Sequence, residues 1–183
     1  MTTTTATNSF LQRLIGAAAL DTAIYEEVEA DPKAGMQAAA VVVLSSLAAG
    51  IGARGFSQNS LPNIALISIV SLMAWACWAL VTYEIGARVL PGPQTSVDIG
   101  QLMRTIGFAA TPGLLRIFGF IPGVTIPAFA LATVWMLVAM VVAVRQALDY
   151  TSTGRAVAVC VLGWVLALAF VLVLGLVFGP TVS

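Results

Sequence analysis

The sequence predicts an all-α integral membrane protein, a five-helix transmembrane bundle with a proline-kinked third helix and short amphipathic N-terminal helices. Three observations predict it. Of 183 residues, 60% are hydrophobic and 9% charged, with a mean hydropathy of +1.00, which is far too apolar for a water-soluble domain of this size. The charges are also spaced widely: 20 uncharged residues separate Lys33 from Arg54, 29 separate Arg54 from Glu84, 28 separate Arg116 from Arg145, and 28 follow Arg155. A charge at the bilayer centre costs about 2.5–3.5 kcal/mol even on the lenient insertion scale, so these gaps are the spans. Finally, with five spans and the N-terminus inside, Arg13, Lys33, Arg88, Arg104, Arg145 and Arg155 are cytoplasmic and Arg54 is the clear outside base, as the excess of Lys and Arg in cytoplasmic loops requires. A four-span chain would move Arg145 and Arg155 outside.

Residues 1–31 form the N-terminal part and 32–183 the bundle. The Thr-rich start and the charges Arg13 and Asp21 do not resemble a secretory signal, so this part is expected to be retained. Over Phe10–Leu20, the residues Phe10, Leu11, Leu14, Ile15 and Ala18 recur at helical spacing and predict a helix in the cytoplasmic interface. A second short helix, capped by Asp21, is expected to reach Ala30. It carries Glu26, Glu27 and Glu29 with no base among them, and an anionic leaflet repels it. Its Ile24–Val28 edge is expected to pack on the protein's own cytoplasmic loops.

The first span is read at Ala34–Ala53, with Asp31 as N-cap and Pro32 at the first helical position. The second, fourth and fifth are read at Ile64–Tyr83, Ile126–Val144 and Ala156–Phe178, each able to hold the roughly 20 residues that cross the hydrocarbon. Gln101–Ile121, interrupted at Thr111-Pro112-Gly113, fits a kinked span, a re-entrant hairpin or two interfacial half-helices. The charge count favours the span, with Arg104 and Arg116 snorkelling to opposite faces. Pro91-Gly92-Pro93 breaks the chain after the second span, and Ile121–Pro127 turns it between the third and fourth. Trp75, Trp78, Trp135 and Trp164 lie inside spans and read as packing residues.

Chemistry is sparse. Without histidine there is no nucleophilic triad or metalloprotease motif. Walker, dinucleotide and Gly-x-Ser-x-Gly fingerprints are missing too. Cys77 and Cys160, 83 residues apart, match no zinc spacing and no disulfide framework. No catalytic residue, cofactor or metal is expected, and with eight bases balancing eight acids, nucleic acid is not an expected partner. The candidate functional polar residues are Arg116 and Arg104 on the proline-broken segment, Glu84 and Arg88 at pairing distance on one helical face, and Glu26, Glu27 and Glu29. Asp98, Arg104, Arg145, Asp149 and Arg155 are expected to gather as a polar cluster tying the cytoplasmic loops together. Ala48–Gly52, Ala109–Gly113, Ala139–Ala143 and Gly175–Gly179 are small-residue pairs suited either to packing within the bundle or to a subunit contact.

Phe10-Leu-Gln-Arg-Leu-Ile-Gly16, Leu20-Asp21, Tyr25-Glu-Glu-Val-Glu-Ala-Asp-Pro32 and Ala49-Gly-Ile-Gly52 form a pattern. It continues in Gly107-Phe-Ala-Ala-Thr-Pro-Gly-Leu-Leu115, Ile121-Pro-Gly123, Val134-Trp135, Val144-Arg-Gln-Ala-Leu148 and Thr151-Ser-Thr-Gly-Arg155. The chain thereby resembles the small prokaryotic members of the Yip1 domain family over nearly its whole length. That resemblance implies five spans, a cytoplasmic N-terminus, an outside C-terminus and a prokaryotic cell membrane. Eukaryotic members act in vesicle traffic, with binding to prenylated GTPases, and carry a longer N-terminal region with an Asp-Leu-Tyr-Gly-Pro motif. Neither is present here, so GTPase binding is not carried over.

The expected function is therefore non-enzymatic: a scaffold, membrane-organising factor or accessory subunit, with membrane lipids, other membrane proteins or a second copy as partners. The alternative is a small transporter, channel or lipid-handling protein in which Arg116 faces a polar cavity, with Glu84 and Arg104 as further candidates for its path.

Overall fold

A computed structural model describes residues 8–56, 61–91 and 98–178, and these are helical almost throughout. Helix α1 spans Phe10–Ala18, α2 Thr22–Ala30, α3 Ala34–Gly52, α4 Leu61–Glu84, α5 Ile99–Ala109, α6 Thr125–Ala147 and α7 Thr153–Phe178. Among the described residues three helices are long and apolar enough to cross a membrane: α3 with its final turn (Ala34–Gly55), α4 and α6.

Local chemistry sets the ends. Ser9 and Gln12 close a reciprocal capping box on α1, and Asp98 and Gln101 do the same on α5. Asp21 caps α2 as expected, accepting from the Ala23 N–H at 3.0 Å. Leu20 ends α1 with a left-handed φ of 64°, and the Asp21 N–H reaches back to the Gly16 carbonyl at 2.9 Å, the Schellman arrangement. Asp149 repeats this after α6, at φ 49°, with the Tyr150 N–H on the Arg145 carbonyl. Pro122 and Gly123, the latter at φ 80°, are the central residues of a turn closed by the Val124 N–H on the Ile121 carbonyl, a type II turn that needs glycine at its third position.

Two expectations are refined. Helix α3 begins at Ala34 and not at Pro32, and Asp31 caps the turn that leads into it, its carbonyl accepting from the Ala34 N–H and its carboxylate from the Lys33 N–H. The same carboxylate ion-pairs with Arg13. The segment 101–121, expected to break at Thr111-Pro112-Gly113, changes helix type there. It is α-helical to Ala109 and 3₁₀-helical over Thr111–Phe120. Pro112 has no N–H to give the Phe108 carbonyl, and the Thr111 hydroxyl donates to that carbonyl at 2.6 Å in its place. A 3₁₀ run of this length is uncommon, and close packing on both sides holds it.

The core is a ring of helices. The 3₁₀ segment packs against α3 and α6, α3 against α4 and α5, and α7 against both α4 and α6. Contact is close because small residues face backbone. A Cβ on Gly52 would collide with the Arg116 carbonyl, one on Gly119 with the Gly52 carbonyl, and one on Gly107 with Ala38. Ala48, Gly52, Ala109, Gly113, Ala139 and Ala143 are all buried within the chain, so three of the four small-residue pairs serve packing inside the bundle. The fourth, Gly175–Gly179, extends beyond the described residues.

Helices α1 and α2 form a hairpin on the end of the bundle that carries most of the bases. Ile24, Tyr25 and Val28 are buried, and α2 packs on the helices α5 and α6 rather than on loops. Phe10 meets Phe108 edge to face, and the Trp135 indole N–H donates to the Ala18 carbonyl at 2.8 Å. On the outer face of α1, Leu11 and Ile15 remain 65% and 62% exposed.

Candidate functional site: a cavity at Arg116

Inside the ring lies a cavity of about 350 Å³. Helix α4 gives it Ser71, Trp75 and Trp78, and α6 gives Thr133, Met136, Leu137 and Met140. Both sets recur at helical spacing and so lie on single faces. Helix α7 adds Trp164 and Leu168, and the 3₁₀ segment adds Arg116. Trp78 and Met140 are buried, whereas Trp164 and Leu168 are exposed, so the cavity is deep at α4 and α6 and shallow at α7. A second space of about 30 Å³ shares Ser71, Trp75, Met136 and Arg116 and reaches Ser45 and Ser46 on α3. It has room for a water-sized group.

The polar atoms here are mostly donors without acceptors. The Arg116 terminal nitrogen donates to the Thr133 hydroxyl at 3.2 Å, and the guanidinium lies 5.7 Å from the Phe129 ring centroid. Its Nε is buried with no partner, as are the indole nitrogens of Trp75 and Trp78 and the Thr82 hydroxyl. Among the described residues no carboxylate is within ion-pair distance of Arg116. All eight acidic residues of the chain, Asp21, Glu26, Glu27, Glu29, Asp31, Glu84, Asp98 and Asp149, are described, and the ion pairs they form are with Arg13 and Arg88. A buried cation left without a counter-charge is expensive.

The other candidates lie elsewhere. Glu84 and Arg88 do pair, at 2.7 Å, but both are exposed. Arg104 does not snorkel. It donates from Nε to the Val28 carbonyl at 3.1 Å and from a terminal nitrogen to the Glu29 carbonyl, clamping the end of α2. Neither Glu84 nor Arg104 lines the Arg116 cavity. The expected cluster of loop charges is replaced by bonds to backbone: Arg145 to the Tyr150 carbonyl, Arg155 to the Pro91 carbonyl, and the Tyr150 hydroxyl to the Gly86 and Leu90 carbonyls. Asp98 caps α5.

The three glutamates of α2 have separate surroundings. Glu26 is exposed and accepts from Gln146. Glu27 accepts from Asn8 and Arg13. Burial works against its charged form, but those bonds outweigh it and hold its carboxyl below the ordinary 4.5. Glu29 is pushed up by burial, with Asp149 and Glu26 adding to the shift and Arg104 opposing it. Residues that sequence reasoning passed over are Arg13, Ser71, Thr133 and the cavity tryptophans. The recurrence of Ser71, Trp75 and Trp78 beside the Thr133–Met140 stripe is the signal that points to the cavity residues, and no such signal points to Arg13.

The family model described as the Yip1 domain matches residues 22–175. No curated protein and no solved structure gives a match.

Proposed function

Because the chain belongs to the Yip1 domain family of membrane proteins, we propose that it is a non-enzymatic, five-span protein of the cell membrane that takes an amphiphilic, lipid-derived molecule into its bundle. The observation that carries this reading is the cavity at Arg116, a charge with no acid to meet it among polar donors and hydrocarbon walls. Ligand pockets have this composition, mostly apolar with a few convergent polar groups, and volumes from about 300 Å³. Of the two functions expected from the sequence, a scaffold needs no such space, whereas a lipid-handling protein does.

Helix length supports the five-span reading. Beside the three long apolar helices, α7 runs for 26 residues, about 39 Å at the α-helical rise. Helix α5 and the 3₁₀ segment together trace about 36 Å when laid end to end. With the base-rich end inside, the N-terminus is cytoplasmic and the C-terminus outside.

Extraction in mild detergent followed by native mass spectrometry tests the reading. The expected result is one amphiphile retained per chain and lost from Ala74→Trp, a substitution that fills the cavity from its α4 wall. An empty parent protein, or equal retention by Ala74→Trp, would sink the proposal. Stoichiometric partner chains in its place would return the function to a scaffold or accessory subunit.

A further inference from the structure

We infer that the ligand of this cavity carries an oxyanion, a carboxylate or a phosphate, on a single hydrocarbon chain, and that Arg116 is its anchor. The inference rests on the reading that the cavity takes an amphiphile, and adds what kind. Three features of the walls select the chemistry. First, the charge is one-sided. Arg116 brings a guanidinium whose Nε is buried and unbonded, its partners are a neutral hydroxyl and an aromatic ring, and all eight acidic side chains, every one of them described, are placed elsewhere. The counter-charge must come from outside the chain, because a desolvated cation is stable only when paired.

Second, the polar hydrogens lack acceptors. Trp75 and Trp78 line the cavity, and their indole N–H groups, which can only donate, are buried without a partner. A carboxylate or phosphate accepts several such bonds and meets the guanidinium in its planar fork. A ligand that was itself a cation or a donor would leave these groups unmet. Third, apart from the Ser71 hydroxyl and the Trp164 indole, the rest of the wall is hydrocarbon and thioether: Ala74, Met136, Leu137, Met140 and Leu168. A volume of about 350 Å³ is at the small end for ligand pockets, which suits one acyl chain and not two.

Tryptophan fluorescence tests this in nanodiscs of phosphatidylcholine. A Trp135→Phe background leaves Trp75, Trp78 and Trp164, all of which line the cavity, as the only indoles. The probes are dibromostearate, its methyl ester and a dibromo-acyl lysophosphatidate. Saturable quenching by the acid or the lysophosphatidate is expected at concentrations about tenfold or more below that of the ester, the worth of one charge-assisted hydrogen bond. Arg116→Gln should bring the acid to the level of the ester. Quenching by the acid, the lysophosphatidate or both supports the inference and tells a free carboxylate from a phosphate headgroup.

Equal quenching by acid and ester would overturn the anionic ligand while leaving an amphiphile cavity standing. Unchanged affinity in Arg116→Gln would overturn the anchor. No saturable quenching by any probe would remove both. If Arg116→Gln does not fold, the comparison of acid with ester on the parent background decides alone.

Discussion

At Arg13 three side chains, from α2, from α3 and from the connection between them, converge on one guanidinium. Glu27 and Asp31 pair with it at 2.8 and 2.7 Å, Gln37 accepts from it at 2.8 Å, and only 2% of its surface is exposed. Sequence alone shows an isolated base and, ten residues on, an acidic helix with no base, because only the turn at Leu20–Asp21 brings the two together. Arg13→Met strands two carboxylates. The expected loss is about 2–3 kcal/mol, below the 3–5 of a fully buried pair because both acids keep some contact with water. Thermal unfolding in detergent measures it. The same pairing sets an acid limit. Bonding to Arg13 lowers Asp31 below 3.8, and Asn8 and Arg13 lower Glu27 against the effect of burial. Groups depressed by folding contribute stability that is present above their unfolded pKa values and lost as pH falls through the folded ones. Protection of the amides of α1 and α2, as exchange relative to the intrinsic rate at each pH, should therefore hold from neutrality to about pH 5 and fall below about pH 4. Glu29, raised by burial first, has the opposite sign and offsets part of this loss. Equal protection factors at pH 3 and pH 7 would show that the node does not hold the hairpin.

At the scale of elements, what could be read from the sequence was whatever depends on neighbours in the chain. The Asp21 cap, the turn at Pro122-Gly123 and the cores of α3, α4 and α6 follow from local chemistry and from gaps between charges. The 3₁₀ helix does not. Pro112 announces a break, but it is α3 on one side and α6 on the other that hold Thr111–Phe120 in the tighter coil, and sequence periodicity carries no trace of that pressure. The glycines at the contact make a test. Gly52→Ala puts a methyl group against the Arg116 carbonyl and the Phe129 ring, where backbone cannot yield as a side chain can. Overpacking of this kind costs about 1–3 kcal/mol. Gly35→Ala, which meets nothing within 4 Å, should be neutral or slightly stabilising by its gain in helix propensity. Equal melting temperatures for the two variants would mean that α3 and the 3₁₀ segment do not approach as closely as described. Because the Arg116 backbone is the contact, Gly52→Ala should also weaken ligand retention, whereas Gly35→Ala should not.

For the whole molecule, the charge pattern and the fold bear on the same question from different directions. Lys33 at the foot of α3 and the Tyr150–Ser152 connection between α6 and α7 lie at the end where Arg13, Arg104, Arg145 and Arg155 are tied to backbone carbonyls and acids. Arg54 and the Ile121–Val124 turn lie at the other, where Gly55 packs against the Gly119 carbonyl and Thr125. A positive-inside chain therefore exposes the first pair of sites to the cytoplasm and the second pair outside. Single cysteines can report this, since Cys77 and Cys160 are replaceable by serine or alanine and Lys33, Ser152, Arg54 and Val124 are all exposed. In intact cells, a membrane-impermeant maleimide should label Arg54→Cys and Val124→Cys and leave Lys33→Cys and Ser152→Cys unlabelled until the membrane is opened. The decisive pair is Val124 and Ser152, one at each end of α6. If 101–121 were re-entrant, the chain would return to the side from which it entered, and Val124→Cys would be shielded in intact cells while Ser152→Cys became reactive. The reversed pattern would thus remove the five-span reading and, with it, the packing of Gly55 against Gly119 and Thr125 that sets Arg54 and the Ile121–Val124 turn at one end. The expected pattern would place Arg116 in the outer half of the membrane, with its cavity open to lipid on the α7 side.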